Sequence, residues 1–203
     1  MQIIIHRVNT IEQLKTVLPE YGVEIDVRGY GDKILLNHEP IDNPDNYDEL
    51  DDYLQNFNHS FIVFNIKEAG YEQKVIDLVK KHGIKDYFLL DVEFPYFYKA
   101  TRMLKNKNLA VRYSEAEPIE YVEAQMDDKI PLVDWVWIDT NTKLPIDKDI
   151  ADRLKPFKTC LVCPSRWGRP EDINNYIAQM KRANFKPDAV MTSDELAPLW
   201  KDF

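Results

Sequence analysis

Phe61-Ile62-Val63-Phe64-Asn65-Ile66-Lys67, followed a few residues later by Val75-Ile76 and Leu78-Val79 and then His82-Gly83, holds one complete structural repeat. The apolar run of β-branched and aromatic residues predicts a buried strand over 61–66. The apolar pairs at helical spacing predict a helix over 71–82, and Gly83 stands in the position where helices commonly stop. Working outward, the same alternation recurs along the whole chain. Strand patterns fall near 2–5, 23–27, 61–66, 87–90, 109–112, 135–138, 159–163 and 189–191. Helical patterns fall near 10–20, 47–57, 71–82, 95–105, 118–127, 147–155, 170–183 and 194–201. Thr10 is a plausible N-cap for the first, and Pro170-Glu171-Asp172 opens the seventh with proline and acids suited to a helix start. Eight such units predict an α/β fold, a single (β/α)8 TIM barrel over residues 1–203 with no separate insertion domain. An open doubly wound sheet fits less well, because the turn after the first strand reads His-Arg-Val-Asn and lacks a Gly-x-Gly-x-x-Gly fingerprint.

A chain of 203 residues suffices for one domain that buries roughly 70% of its unfolded surface. With 26 basic and 35 acidic residues the net charge is −9, and no basic run with interleaved aromatics appears, which argues against nucleic-acid binding. The sequence enters a strand pattern at once, without a charged leader and long apolar core, and no apolar run approaches a membrane span of about 20 residues. A cytoplasmic protein without integral membrane association is expected. Cys160 and Cys163 lie within a strand pattern and point to opposite faces; no second Cys-x-x-Cys completes a zinc site, so both are expected to be reduced, buried thiols.

The segment Val23-Glu24-Ile25-Asp26-Val27-Arg28 carries the chemistry. Alternation puts Val23, Ile25 and Val27 on one face and aims Glu24 and Asp26 together from the other, roughly 7 Å apart at the backbone. Two buried like charges require a compensating cation. Asn65 and Lys67 end another strand two residues apart, His6-Arg7 close the Ile3-Ile4-Ile5 run, and His38-Glu39-Pro40 follow Ile34-Leu35-Leu36. All fall at or just beyond strand ends, where a barrel of this kind places its active site. Asp91, Arg112, Asp139, Ser165, Arg166 and Ser193 fall at equivalent ends of later strands. Arg112 and Arg166 are candidates for a second anion contact, although a surface or helix-capping role explains each more simply. Trp135 and Trp137 read as core, Trp167 sits at the right end for stacking on a sugar, and His59 and His82 carry no assigned chemistry.

Taken together, His6-Arg7 with Asn9-Thr10, Gly22-Val23-Glu24-Ile25-Asp26-Val27-Arg28, Leu36-Asn37-His38 and Asn65-Ile66-Lys67 resemble the glycerophosphodiester phosphodiesterase family, one of the phosphatidylinositol-phospholipase-C-like phosphodiesterase barrels. The closing Lys186-Pro187-Asp188-Ala189-Val190-Met191-Thr192-Ser193-Asp194 resembles that family's last strand. The likeness is specific over the first 67 residues, loose between 87 and 185, and visible again at the end. It implies that His6 and His38 are the acid/base pair, that Glu24, Asp26 and Asn65 bind a divalent cation (Mg²⁺ or Ca²⁺), and that Arg7 and Lys67 contact the phosphate of a small phosphodiester. Three departures stand out. Asn65 replaces a usual acid, so the third metal ligand is neutral; Glu39 follows His38 where aspartate is usual; and a short acidic segment over 39–59 replaces the customary helical insertion, which predicts a more open or differently capped pocket. Two rival readings remain: a barrel that binds a phosphorylated ligand without turnover, and Schiff-base chemistry at Lys67.

Overall fold

The computed structural model describes residues 1–201 and 203. The chain divides into two compact units, residues 4–99 and residues 1–3 with 100–203. In the first unit, the second half of β1 (Gln2–Ile5, of which Ile4 and Ile5 belong here and Gln2 and Ile3 to the other unit), β2 (Gly22–Tyr30), β4 (Phe61–Ile66) and β5 (Tyr87–Leu90) form a parallel ladder in the order β1-β2-β4-β5, and β3 (Lys33–Leu36) folds back antiparallel on β2. The helices of this unit are α1 (Ile11–Leu14), α2 (Leu50–Gln55), α3 (Glu72–Lys81) and α4 (Phe94–Tyr98). In the second unit, β6 (Ala110–Tyr113), β9 (Trp135–Ile138), β10 (Lys158–Val162) and β11 (Ala189–Thr192) are parallel in the order β6-β9-β10-β11, with a two-residue-per-strand hairpin of β7 (Met126–Asp127) and β8 (Ile130–Pro131). Its helices are α5 (Ile119–Glu123), α6 (Lys148–Leu154), α7 (Ile173–Arg182) and α8 (Pro198–Lys201). The Gln2 backbone N–H donates to the Asp188 carbonyl at 2.7 Å, tying the start of β1 to the residue before β11. Eight parallel strands, each followed by helix, make this the (β/α)8 fold that the alternation predicts.

Every predicted strand is present, because strands buried on both faces read as continuous apolar runs. Ile62, Val63 and Phe64 are fully buried, as are Val23 and Ile25. Helix lengths depart more. The pattern over 10–20 yields only α1: Thr10 and Gln13 form a capping box at its start, but the Thr16 hydroxyl donates to the Gln13 carbonyl at 2.7 Å and the helix ends by Lys15. The pattern over 95–105 becomes α4 followed by a π-helical turn, Lys99–Met103. The pattern over 118–127 stops at Glu123, and residues 126–131 form the small hairpin instead.

β2 runs three residues beyond its predicted end, to Tyr30, and turns into β3 through Gly31 at φ 56°. Gly29 within this extension has no room for a side chain, since a Cβ there would lie 1.9–2.4 Å from ring atoms of Tyr71. The Tyr71 hydroxyl in turn donates to the Gly31 carbonyl at 3.1 Å. Gly29→Ala is therefore expected to displace the Tyr71 ring and cost about 1–3 kcal/mol in urea-melt stability. The loss should largely vanish when Tyr71 is first changed to Ala; an equal loss in both backgrounds would show that the ring is not the obstacle.

Candidate active site

Glu24 and Asp26 lie on one face of β2 and are almost completely buried, 1% and 0% exposed. The β2–β4 register pairs Asp26 with Asn65, so the amide shares that face. Asn65 Nδ2 donates to Glu24 Oε1 at 3.0 Å. On the other side, β1 pairs Ile5 with Val23, and the chain then leaves the strand through His6 and Arg7. Arg7 adopts φ 55°, an uncommon conformation for a side-chain-bearing residue, and its backbone N–H donates to Glu24 Oε2 at 2.9 Å. His6 Nε2 stands 3.8 Å from the same oxygen. The Tyr53 hydroxyl, from α2, holds this turn by donating to the Val8 carbonyl at 2.8 Å.

Asp26 is bracketed differently. Lys67 Nζ lies 3.2 Å from Oδ1, Asn9 Nδ2 donates to Oδ2 at 2.9 Å, and Arg7 Nε is 3.9 Å from Oδ2. Asn9 also accepts the Asp26 backbone N–H on its Oδ1 at 2.8 Å, so one side chain grips both ends of the residue. The structure thus brings six of the predicted residues, His6, Arg7, Glu24, Asp26, Asn65 and Lys67, into one contact network.

His38 joins that network less directly. The Asn37 backbone N–H donates to the Asp26 carbonyl at 3.1 Å. Arg28 donates to the His38 carbonyl at 2.8 Å and to Glu68 Oε1 at 3.2 Å, while Glu68 Oε2 accepts the Gly29 N–H at 3.0 Å. The loop bearing His38 is thereby fastened to the residue after Lys67. His38 Nδ1 lies 2.6 Å from Glu39 Oε1, which directs the ring and leaves Nε2 as the nitrogen available for other partners. That contact with His38 holds the Glu39 carboxyl below its usual range. Asn9, Arg28, Glu68 and Tyr53 are site residues to which sequence reasoning gave no role. Asn9 and Arg28 stand inside quoted motifs, His-Arg-x-Asn and Gly22–Arg28, but Glu68 and Tyr53 leave no periodic or motif signal.

Burial, and then the neighbouring Asp26 charge, push the Glu24 carboxyl up to about 7, against the opposing pull of the Arg7 N–H, Asn65 and Lys67. Burial first, and then Glu24 itself, raise the Tyr53 phenol well above its ordinary value. Burial, ahead of charge repulsion, is thus the larger reason that the ionised form of Glu24 is disfavoured here. Asn65 Oδ1 is buried and accepts no hydrogen bond, and Asp26 Oδ1 meets the Lys67 ammonium in an ion pair. An orphaned amide oxygen beside two buried carboxylates is what a hard divalent cation would take up. Among the described residues no three His, Cys, Asp or Glu side chains gather as a metal-binding group, so an ion here would need Asn65 to complete the set with Glu24 and Asp26. The donor set fits Mg²⁺ or Ca²⁺.

Most secondary candidates have structural work. Arg112 forms an ion pair with Asp139, and Arg166 lies over the Trp167 ring at 5.4 Å. Trp135 and Trp137 are buried and Trp167 is exposed. Asp91 sits at φ 59° just past β5. Cys160 and Cys163 are buried free thiols. His59 meets the Val17 carbonyl at 3.1 Å and His82 meets Asp51 at 2.7 Å.

A (β/α)8 fold with a buried carboxylate pair and facing cations at strand ends defines the class. No known protein-family model matches the sequence, and no curated protein matches it either. Solved structures do share the fold. A glycerophosphodiester phosphodiesterase from Agrobacterium tumefaciens C58 superposes with a TM-score of 0.66 at 14% identity, over 97% of this chain and 99% of that one. A glycerophosphoryl diester phosphodiesterase from Parabacteroides distasonis superposes at 0.60 and 11% identity, over 98% and 86%.

Proposed function

We propose that this chain is a phosphodiesterase acting on a small glycerophosphodiester-type substrate. The observation that carries the reading is the buried Glu24–Asp26 pair, met by Lys67, Arg7 and His6 at adjoining strand ends. The shared fold with two glycerophosphodiester phosphodiesterases supports it. Glu24, Asp26 and Asn65 would hold a divalent cation, whose contribution when bound is to neutralise charge on the phosphoryl oxygens. Lys67 and Arg7 bind and orient the phosphate, and their charge counts most as negative charge grows on those oxygens. His6 and His38 take the two proton transfers: one accepts the proton of the attacking hydroxyl, the other delivers a proton to the departing alcohol oxygen as its P–O bond breaks. Arg28 and Glu68 act through His38 by fixing its loop.

Two observations favour a second reading, a barrel that binds a phosphorylated ligand without turnover. Asn65 is neutral where an acid is usual, and Lys67 is already engaged by Asp26 at 3.2 Å. That engagement also speaks against the Schiff-base reading, in which Lys67 attacks a carbonyl.

Lys67→Ala separates the two main readings. With Mg²⁺ or Ca²⁺ supplied, release of alcohol or cyclic phosphate is followed across glycerophosphodiesters, lysophospholipids, sugar phosphodiesters and a chromogenic diester. The phosphodiesterase reading expects turnover by the parent protein and a roughly 10²-fold or larger fall in kcat in the variant, with a smaller change in affinity. Tight binding without turnover by the parent protein across the panel would establish the binding module instead.

A further inference from the structure

The turn that carries His6 and Arg7 is held in place from outside. Arg7 adopts φ 55°, and a side-chain-bearing residue keeps that conformation only where its surroundings over-determine it. The next residue supplies that constraint. The Val8 backbone N–H donates to the Glu24 carbonyl at 2.9 Å, and the Val8 carbonyl accepts the Tyr53 hydroxyl at 2.8 Å. Tyr53 belongs to α2 and is 0% exposed, with Leu50 and Leu54 of the same helix also buried. Packing fixes the ring, and the hydroxyl of the ring fixes the turn.

The residues leading into α2 hold the neighbouring segments as well. Asp48 Oδ2 accepts the Ile11 N–H at 2.6 Å, at the start of α1. The Asp48 carbonyl accepts the Leu36 N–H at 3.0 Å, and Glu49 bridges to Leu35 of β3. Leu36 ends β3 two residues before His38, and Val8 lies two residues after His6. Residues 48–53 therefore hold both histidine-bearing segments, and every residue involved lies in the compact unit over 4–99.

We propose that Tyr53 is a positioning residue of the candidate site, and that residues 48–53 are the brace that sets the turn of His6 and Arg7 against the loop of His38. Tyr53 takes no part in proton transfer. Its hydroxyl is engaged by the Val8 carbonyl and its side chain is closed to solvent, so it acts through the turn. Without that donor the Val8 carbonyl becomes a buried acceptor with no partner from α2, and Arg7 loses part of what holds it at positive φ. The Arg7 guanidinium and the His6 ring then leave their working positions, and a misplacement of about 1 Å can cost on the order of 10² in rate. The effect on turnover rests on the phosphodiesterase reading. The fixing of the turn does not.

Tyr53→Phe removes one oxygen and keeps the ring, and circular dichroism with a thermal melt establishes that the variant is folded. Amide hydrogen exchange of the full chain reads the turn without any substrate. The Arg7 and Val8 amides are expected to exchange at least about tenfold faster in the variant, while those of residues 62–64 in β4 keep their protection. Kinetics with the chromogenic diester and supplied Mg²⁺ or Ca²⁺ read the consequence: kcat should fall roughly 10–10²-fold, with KM changed much less. In an Arg7→Ala background the same substitution should cost at least about threefold less, because a group that it positions is gone. If Tyr53→Phe fails to fold, Asp48→Ala, which frees the same loop at Ile11, carries both measurements with the same expected directions. A folded variant whose Arg7 and Val8 amides stay protected overturns the proposal, and so does an equal loss of kcat with and without the Arg7 side chain. If the parent protein turns over no diester, the phosphodiesterase reading fails and the exchange comparison alone decides for or against the brace.

Discussion

Replacing His38 by alanine is expected to lower kcat by roughly 10²–10⁴ while leaving the protein folded, and His6→Ala should do the same. The two rings are held for different positions. His6 Nε2 stands 3.8 Å from the buried Glu24 carboxylate, at the floor of the site. His38 is about one-third exposed, with Nδ1 against Glu39 and its backbone fastened by Arg28. One histidine beside a buried carboxylate and one facing solvent suit a base and an acid that must be in opposite protonation states at the start of turnover. The pH profile of kcat/KM should accordingly be bell-shaped, and each variant should lose one limb. Steady-state kinetics with the chromogenic diester, alongside circular dichroism of each variant, make the measurement. Full activity in His38→Ala would remove that residue from the proton transfers and leave it a structural partner of Glu39. Glu39→Gln discriminates further: loss of the 2.6 Å contact should reduce kcat less than removal of the ring.

The fold was legible in the sequence because its signals are periodic. Parallel strands such as Phe61–Ile66 are buried on both faces, and α3 repeats its apolar residues every three or four positions. The carboxylate pair was legible for the same reason, since a spacing of two on a strand fixes a shared face whatever surrounds it. What escaped has no period. The Met126–Pro131 hairpin has two-residue strands, too short for alternation to show, and its turn is set by Asp128 at φ 53°. The inward grip of Asn9 on Asp26 depends on the turn at Arg7, whose positive φ nothing in the residue type announces. The Arg28–Glu68–His38 linkage joins three segments by side-chain contacts to carbonyl and carboxylate groups, and those partners become neighbours only once β2, β3 and β4 are in register. Asn65 shows both sides of this. Its substitution was plain in the sequence, whereas its donation to Glu24 and its orphaned Oδ1 are properties of the assembled site.

That assembled charge gives the metal-free protein an unusual dependence on pH. Glu24 holds its proton to about pH 7 in the folded state against an ordinary value of 4.5, chiefly through burial and then through repulsion from Asp26. Between those two values the folded protein binds more protons than the unfolded chain, so stability is greatest at the acidic end of the window and falls as pH rises through 7. A gap of this size corresponds to a loss on the order of 3 kcal/mol. Urea melts of metal-free protein from about pH 5 to about pH 8 should show that decline, and Glu24→Gln, which cannot ionise, should flatten it. A divalent cation should reverse the trend, because it binds the ionised carboxylates and not the protonated one. Added Mg²⁺ or Ca²⁺ is therefore expected to raise the melting temperature near pH 8 and to have little effect near pH 5, and chelation near pH 8 should abolish turnover. Asn65→Asp adds a third carboxylate to a buried cluster in which Glu24 is already disfavoured as the ionised form. It should tighten cation binding about tenfold or more while making the metal-free protein still less stable at high pH. A melting temperature indifferent to either cation at pH 8, with turnover intact in chelator, would show that Lys67 and Arg7 alone neutralise the site and that its chemistry runs without a metal.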